Sequence, residues 1–176
     1  QPLIRMAQKN APKALAATPG LPLAGLKVLD LSRVLAGPMA GRHLAELGAE
    51  VIRISAPDLP SLETLVIDTG FGKQAAFADL ATKAGRAALT ALIADADILI
   101  DGFRPGALAL KGFGPDDLWA MNPSLTIVTL SAFSDVGPWA GRRGYDSYVQ
   151  SGVGLAAPPV KGDPPVRLAY QPLDYL

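Results

Sequence analysis

Apolar residues in the first part of the chain follow two spacings, short continuous runs and a helical repeat. Residues 26–31 and 51–54 are apolar runs of strand length. Four residues between them recur at helical spacing: Met39, His43, Leu44 and Leu47. Gly48 then stands where a helix would end. The stretch VLDLSRVLAGPMAGRHLAELGAEVIRI therefore predicts a strand, a turn, a helix and a second strand.

The rest of the chain continues this alternation. Strands are predicted at 75–80, 98–100 and 125–131, and helices at 82–94, from Pro115 onward and at 145–155. Thr82 is a plausible cap for the second helix. Residues 56–72, which contain Pro57 and Pro60, predict irregular structure. A proline-rich segment runs from the last helix to Asp174.

This order of elements predicts an α/β fold, a Rossmann-like doubly wound sheet whose mainly parallel strands are covered on both faces. Ligands of such sheets bind at the carboxyl ends of the strands. The residues at those ends are Ser32-Arg33-Val34, Ser55-Ala56-Pro57, Gly102-Phe103-Arg104 and Ser131-Ala132-Phe133.

Composition narrows the range of functions. The 16 basic and 16 acidic side chains cancel, so we expect no nucleic-acid or membrane-surface binding. The chain has no cysteine and one histidine, which excludes thiolate sites and argues against any bound metal. Neither a membrane-spanning run nor a signal peptide is evident, and a cytoplasmic protein is expected.

The chain divides into two parts. Residues 1–20 are rich in Ala, Pro and Lys and predict a linker or arm, and residues 21–176 predict one globular domain. The chain begins with Gln1 and ends in an apolar run, whereas natural termini are usually polar. We therefore expect it to belong to a longer polypeptide.

The opening turn lacks both GxGxxG and GxxxxGK[ST], which removes most support for a dinucleotide enzyme or a nucleoside triphosphatase. Gly37 and Gly41 either contact a ligand or let the helix pack closely against a neighbour. His43 lies in that helix, where a packed or partly exposed role is the better interpretation. Arg104, just beyond a strand, is either a phosphate ligand or a surface arginine. Lys73 is either a ligand or a solvated lysine in a glycine-flanked loop.

Asp174 follows a proline-rich segment and has two possible roles. The simpler one is to cap a short helix. The other is covalent catalysis, because a carboxylate attacks without a base to remove a proton at pH 7. An acyl-aspartate is an anhydride, so that role requires a site from which water is excluded.

The motifs together resemble the class III CoA-transferases, the family of formyl-CoA and carnitine-CoA transferases. The opening stretch matches the family signature GxxVLDxSxxxAGPxxxxxLAxLGAxVIKxE, and GKQAAFADL, ADADILIDGFRPGAL, LKGFG, NPSLTIVTLSAFSDVGPW and GYDSYVQSGVGL follow in the family order. The resemblance spans about residues 22–176. It implies the first part of a Rossmann-like large domain, in a dimer whose subunits are linked like rings.

The resemblance also implies substrates and site residues. Acyl-CoA and an acceptor carboxylic acid are the expected substrates, and Asp174 is the expected nucleophile. The turn at Val34, Leu35 and Ala36 resembles the segment that lies against the CoA adenosine. Segments that line the nucleotide and phosphates contain Lys73, Gly102, Phe103 and Arg104. The pantetheine end is expected at Ser131, Ala132 and Phe133.

Departures from the family pattern leave two alternatives. RISAP replaces the usual KxE-P, and Gly102 and Ala132 replace the usual Asn and Gly, so a non-catalytic CoA-binding half of a fused or duplicated protein is one alternative. An acyl-CoA racemase of the same superfamily is the weaker one. Racemases of that kind carry a histidine in a GHD context, where this chain has Gly144-Tyr145-Asp146.

Overall fold

Five parallel strands form one sheet in this computed structural model, which describes residues 6–7, 19–57, 59, 61–158 and 160–175. The strands are β1 (Lys27–Asp30), β2 (Glu50–Ser55), β3 (Gln74–Phe77), β4 (Ile98–Asp101) and β5 (Thr126–Thr129). Their order across the sheet is β3-β2-β1-β4-β5, and every neighbouring pair is parallel. The α/β fold with a parallel sheet is therefore confirmed.

Six α-helices and one short 3-10 helix, Ala109–Lys111, accompany the strands in the described part of the chain. The α-helices are α1 (Ala36–Glu46), α2 (Glu63–Thr69), α3 (Lys83–Ile93), α4 (Pro115–Met121), α5 (Asp146–Gly152) and α6 (Pro172–Tyr175). The predicted cap is confirmed, since the Thr82 hydroxyl accepts a hydrogen bond of 3.0 Å from the Gly85 N–H. Gly48 has a φ of +104° just beyond α1, as the predicted helix end requires.

Helix α2 corrects the prediction of irregular structure over residues 56–72. Its β-branched residues have low helix propensity, and the preceding prolines interrupted the pattern. Contact with α1 compensates for that weakness: Arg42 of α1 donates to the carbonyl of Asp68 at 3.0 Å and to its carboxylate at 2.9 Å. The guanidinium of Arg42 also lies 5.4 Å from the centre of the Phe71 ring.

The core lies on both faces of the sheet, as predicted. Successive residues of β1 point to opposite faces: Val28 joins a cluster on the α1 side with Leu44, and Leu29 joins the larger cluster with Leu89 and Ile93 of α3. Val28, Leu89 and Ile93 are completely buried. Burial of one such side chain contributes about 1.5–3 kcal/mol.

The strand order creates a switch point between β1 and β4. The chain leaves β1 through α1 towards β2 and β3, and returns through α3 to β4 on the other side of β1. Connections that diverge in this way open a crevice at the carboxyl ends of the two central strands. Helix α6 lies close to both α1 and α5. The end of the described chain is thereby brought to the side of the sheet that carries α1.

Most of the predicted arm, residues 1–20, lies outside the described residues. Within the part of the chain that the structure describes, no helix has the length and apolar character to cross a membrane.

Candidate functional site

The turn between β1 and α1 has an unusual backbone. Val34 has a φ of +72°, in the left-handed region that β-branched residues avoid, and no other non-glycine residue in the described ranges has a positive φ. Such a conformation costs of the order of 1–3 kcal/mol and persists where the surroundings fix it. Val34 is exposed, Leu35 is buried, and Ala36 begins the helix. The turn thus presents one apolar side chain and its backbone to the crevice.

A buried ion pair supports this turn from below. The Lys73 ammonium lies 2.8 Å from the Asp30 carboxylate, and the two side chains are 1% and 0% exposed. Lys73 also donates to the Pro38 carbonyl at 2.6 Å. The other carboxylate oxygen of Asp30 accepts hydrogen bonds from the backbone N–H and the hydroxyl of Ser32. The pair therefore connects β1, the turn, the first turn of α1 and the loop before β3.

The structure places the Lys73 ammonium inside the protein, and not in the open loop where a nucleotide contact is expected. The glycines on either side suggested an open loop with an exposed ammonium, but the side chain points into the protein and finds two internal acceptors. A lysine so enclosed has no surface to offer a phosphate. Its effect on a ligand would be indirect, through the shape of the turn.

Three glycines allow the elements around this pair to approach one another. A Cβ on Gly37 would overlap the side chain of Ser32, and one on Gly41 would lie 2.8 Å from an Asp30 oxygen and from the Lys73 nitrogen. A Cβ on Gly102 would lie 2.7 Å from the Cβ of Ser32. Close packing therefore accounts for glycine at positions 37 and 41. It also explains why glycine stands at 102, where the family pattern has Asn.

Gly37→Ala should lower the free energy of unfolding by about 1–3 kcal/mol, because the added methyl group is forced against Ser32. Urea denaturation would measure the change. Since the obstacle is a single side chain, Ser32→Gly combined with Gly37→Ala should be less destabilised than the sum of the two single variants. Strict additivity would contradict the proposed clash.

The loop after β4 forms the opposite wall of the crevice. One oxygen of Asp101 accepts a hydrogen bond of 2.8 Å from the Phe103 N–H, which fixes the start of the loop. Burial raises the pKa of the Asp101 carboxyl, and this hydrogen bond opposes the rise. Arg104 is exposed, and so is Arg33 at the end of the neighbouring strand. Arg33 was not among the predicted contacts, although its place directly after β1 was a usable signal.

An apolar cavity of about 330 Å³ lies at the carboxyl end of β5. Two of its lining residues, Phe133 and Trp139, meet edge to face with ring centres 5.2 Å apart. Its other lining residues are Ala132, Ser134, Val136, Pro138, Val149 and Val153. Ser131 and Ala132 are exposed at its mouth, and Phe133 is half-buried. The cavity offers apolar contacts and few polar groups.

Asp174 is the third residue of α6, so it is not the helix cap that its sequence position suggested. Its side chain is half-buried. Burial raises the pKa of the Asp174 carboxyl, and the negative charge of Asp146 raises it further. Because α6 packs close to α1, this carboxyl group lies on the side of the sheet that carries α1.

Two other groups take no part in this arrangement. His43 is more than half exposed and pairs with Glu46 one turn along α1, which agrees with the interpretation of an ordinary helical histidine. Tyr145 occupies the position of the racemase histidine and is likewise exposed. Among the described residues, no cluster of three or more acidic, histidine or cysteine side chains could hold a metal ion.

A parallel sheet with a crevice at its switch point is the architecture of many ligand-binding α/β domains. Comparison with known proteins gives the family: residues 23–176 match CoA-transferase family III, and the chain belongs to it. A protein of Mycobacterium tuberculosis named "Probable fatty acyl-CoA transferase Rv3272" is 34% identical over 171 residues, covering 89% of this chain. The succinate–glutarate CoA-transferase of Agrobacterium fabrum is 34% identical over 161 residues, covering 81%.

Solved structures agree. A crystal structure of Rv3272 superposes with a TM-score of 0.80 at 35% sequence identity, over 89% of this chain. The chain spans less than half the length of these relatives, 43% of the first and 40% of the second, and 47% of the crystallised Rv3272 chain.

Proposed function

We propose that this chain supplies the CoA-binding domain and the nucleophile of an acyl-CoA:carboxylate CoA-transferase. The observation that carries the proposal is the position of Asp174, a half-buried carboxyl group on a helix that packs against the helix of the β1–α1 turn. Membership of CoA-transferase family III supports CoA as the ligand of the crevice.

In the proposed reaction, the Asp174 carboxylate attacks the thioester carbonyl of the acyl-CoA. The carbon–sulfur bond breaks, and an aspartyl anhydride and free CoA thiolate result. The thiolate then attacks the aspartyl carbonyl, which releases the first carboxylate and leaves an aspartyl-CoA thioester. An acceptor carboxylate repeats the two steps in reverse order, so that a new acyl-CoA leaves and Asp174 is regenerated.

Three features at the carboxyl edge of the sheet suit successive parts of CoA. They are the β1–α1 turn, the arginines that follow β1 and β4, and the apolar cavity at the end of β5. The exposed Val34 and the backbone of its turn are proposed to contact the adenosine, together with Leu35 and Ala36. The two exposed guanidiniums, Arg33 and Arg104, would meet the phosphates at the ends of neighbouring strands. The apolar cavity beside Ser131, Ala132 and Phe133 has few polar groups and suits the pantetheine arm. Lys73 acts only through the turn.

Arg104→Ala should weaken CoA binding by about 10- to 100-fold, because it removes a charge-assisted hydrogen bond to a phosphate. Isothermal titration with CoA would measure the change. The loss should shrink at high salt, whereas Lys27→Met, at the opposite end of β1, should bind as wild type does. Equal affinity of the Arg104 variant and wild type would remove Arg104 from the site.

An exchange assay on the full-length protein tests the function itself. An acyl-CoA and an isotopically labelled carboxylic acid should yield labelled acyl-CoA, in D₂O without deuterium entering the α-position. Deuterium entry without label transfer would favour a racemase. Binding of CoA with neither reaction, across a panel of acyl-CoAs and acids, would favour a non-catalytic module. We also propose that the full-length protein is a cytoplasmic homodimer whose two subunits are linked like rings.

A further inference from the structure

Two polar side chains on α5, Asp146 and Gln150, are buried although nothing proposed so far uses them. They lie one helical turn apart and are 2% and 0% exposed. Side chains of this kind are seldom buried unless every polar atom has a partner. Their partners all belong to the segment that leads to Asp174 or to each other.

Every side-chain oxygen of Asp146 and Gln150 accepts a hydrogen bond. One oxygen of Asp146 accepts from the backbone N–H groups of Leu173, at 2.7 Å, and Asp174, at 3.3 Å. Its other oxygen accepts from the side-chain amide of Gln150. The oxygen of Gln150 in turn accepts from the Leu168 N–H at 2.9 Å. Together the two side chains hold both ends of residues 168–174 against α5.

The donors fix the role of each atom in this network. Backbone N–H groups only donate, so Leu168 fixes which end of the Gln150 amide is oxygen, and its nitrogen must then donate to Asp146. Both oxygens of Asp146 consequently face donors. An asparagine would turn a donor towards a donor at one of the two ends.

Asp146 also places a negative charge beside Asp174. The hydrogen-bond partners of Asp146 in the described part of the chain are neutral amides. The other ionisable groups on the two helices next to α6 are Arg42, His43 and Glu46 on α1 and Tyr148 on α5. Arg42 and His43 each pair with Glu46, and Arg42 also pairs with Asp68. Asp146 is therefore the charge that acts on Asp174, and it raises the pKa of that carboxyl together with burial.

We propose that Asp146 and Gln150 position Asp174 for attack, because the Asp146 side chain anchors the backbone of α6 at Leu173 and Asp174 and lies beside the nucleophile. The inference rests on the proposed function of Asp174. The anchor fixes the backbone from which the nucleophile projects. The fixed charge also disfavours the ionised form of Asp174, which makes its carboxylate more basic and thus a stronger nucleophile.

The test is a double-mutant cycle in the full-length protein, read as kcat and KM for acyl-CoA. Asp146→Asn and Gln150→Glu should each lower kcat by about 10- to 100-fold with little change in KM, because a nucleophile displaced by about 1 Å loses that much. The double variant Asp146→Asn/Gln150→Glu restores the donor–acceptor order between the two side chains and towards Leu168, and it loses only the bond of 3.3 Å from residue 150 to the Tyr170 carbonyl. Its kcat should therefore exceed that of both single variants. Ser151→Ala, on the exposed side of α5, should behave as wild type.

The pH profile separates positioning from simple loss of fold. Activity needs Asp174 ionised, so it falls as the pH drops through the raised pKa of that group. Asp146→Asn removes the charge, lowers that pKa and should move the acid limb of kcat/KM to lower pH. If Asp146→Asn does not fold, the comparison of Gln150→Glu with the double variant still tests the network.

Two results would overturn the inference: single variants with wild-type kcat and pH profile, or a folded double variant no faster than the singles. Trapping with acyl-CoA and hydroxylamine distinguishes failure of the proposed function from failure of the positioning role. If wild-type protein forms no hydroxamate at Asp174, the proposed function fails. If wild type and Asp146→Asn form it at equal rates, only the positioning role fails.

Discussion

Asp174→Asn should lower the turnover number for CoA transfer by on the order of 1,000-fold or more, as is usual when a covalent nucleophile is removed. The amide has nearly the same size but cannot attack a thioester. Since the crevice is untouched, the dissociation constant for CoA should stay close to that of wild type. Steady-state kinetics together with titration calorimetry would separate the two effects.

Asp163→Asn is a matched control for this variant, because Asp163 is an exposed aspartate in the same proline-rich segment. It should transfer CoA at the wild-type rate. Near-wild-type turnover by the Asp174 variant would rule out covalent catalysis at this residue. Loss of CoA binding and of folding together would instead show that Asp174 is needed for structure.

Lys73→Met should lower the free energy of unfolding by about 3–5 kcal/mol, because it leaves the Asp30 carboxylate buried without its cation. The β1–α1 turn loses its support at Pro38 at the same time, so CoA affinity should fall along with stability. Urea denaturation and CoA titration on the same preparation would measure both.

Lys27→Met is the control for this variant, since the ion pair between Lys27 and Asp95 is exposed on both sides. Exposed pairs contribute little, and this variant should unfold at nearly the same urea concentration as wild type. Asp30→Asn added to Lys73→Met should recover part of the loss, because the buried charge is then removed. A Lys73 variant with normal stability but weak CoA binding would restore the role as a direct ligand.

The sheet could be predicted from the sequence because its information is local. Strands β1 and β2 contain the adjacent apolar pairs Val28-Leu29 and Val51-Ile52, and Gly48 marks the end of the helix between them. Helix α2 could not be predicted in the same way. It is short, has low intrinsic propensity and depends on Arg42, a residue 26 positions away from Asp68.

The candidate site could be predicted less completely, because its contacts join residues that are far apart in the sequence. The order of the elements predicts which residues stand at the carboxyl ends of the strands, and Arg104 is one of them. The depth of a side chain does not follow from its neighbours, so Lys73 was expected at the surface. Asp146 and Gln150 act on residues 18 to 28 positions away, and no local pattern announces such contacts.

Asp174 depended on the family resemblance. Its surroundings in the sequence, a proline and two apolar residues, favour a helix cap over a nucleophile. The fold removes the capping alternative by placing Asp174 inside α6, with Asp146 accepting from its backbone N–H.

Chemical trapping at Asp174 tests the central claim most directly. The full-length protein is incubated with acyl-CoA and hydroxylamine, digested, and its peptides are sequenced by mass spectrometry. We expect a hydroxamate on Asp174 that requires both reagents and does not form in Asp174→Asn, because only an activated acyl-aspartate reacts with the amine. A protein that transfers CoA yet carries no modification at Asp174, or carries it on another carboxylate, would contradict the account.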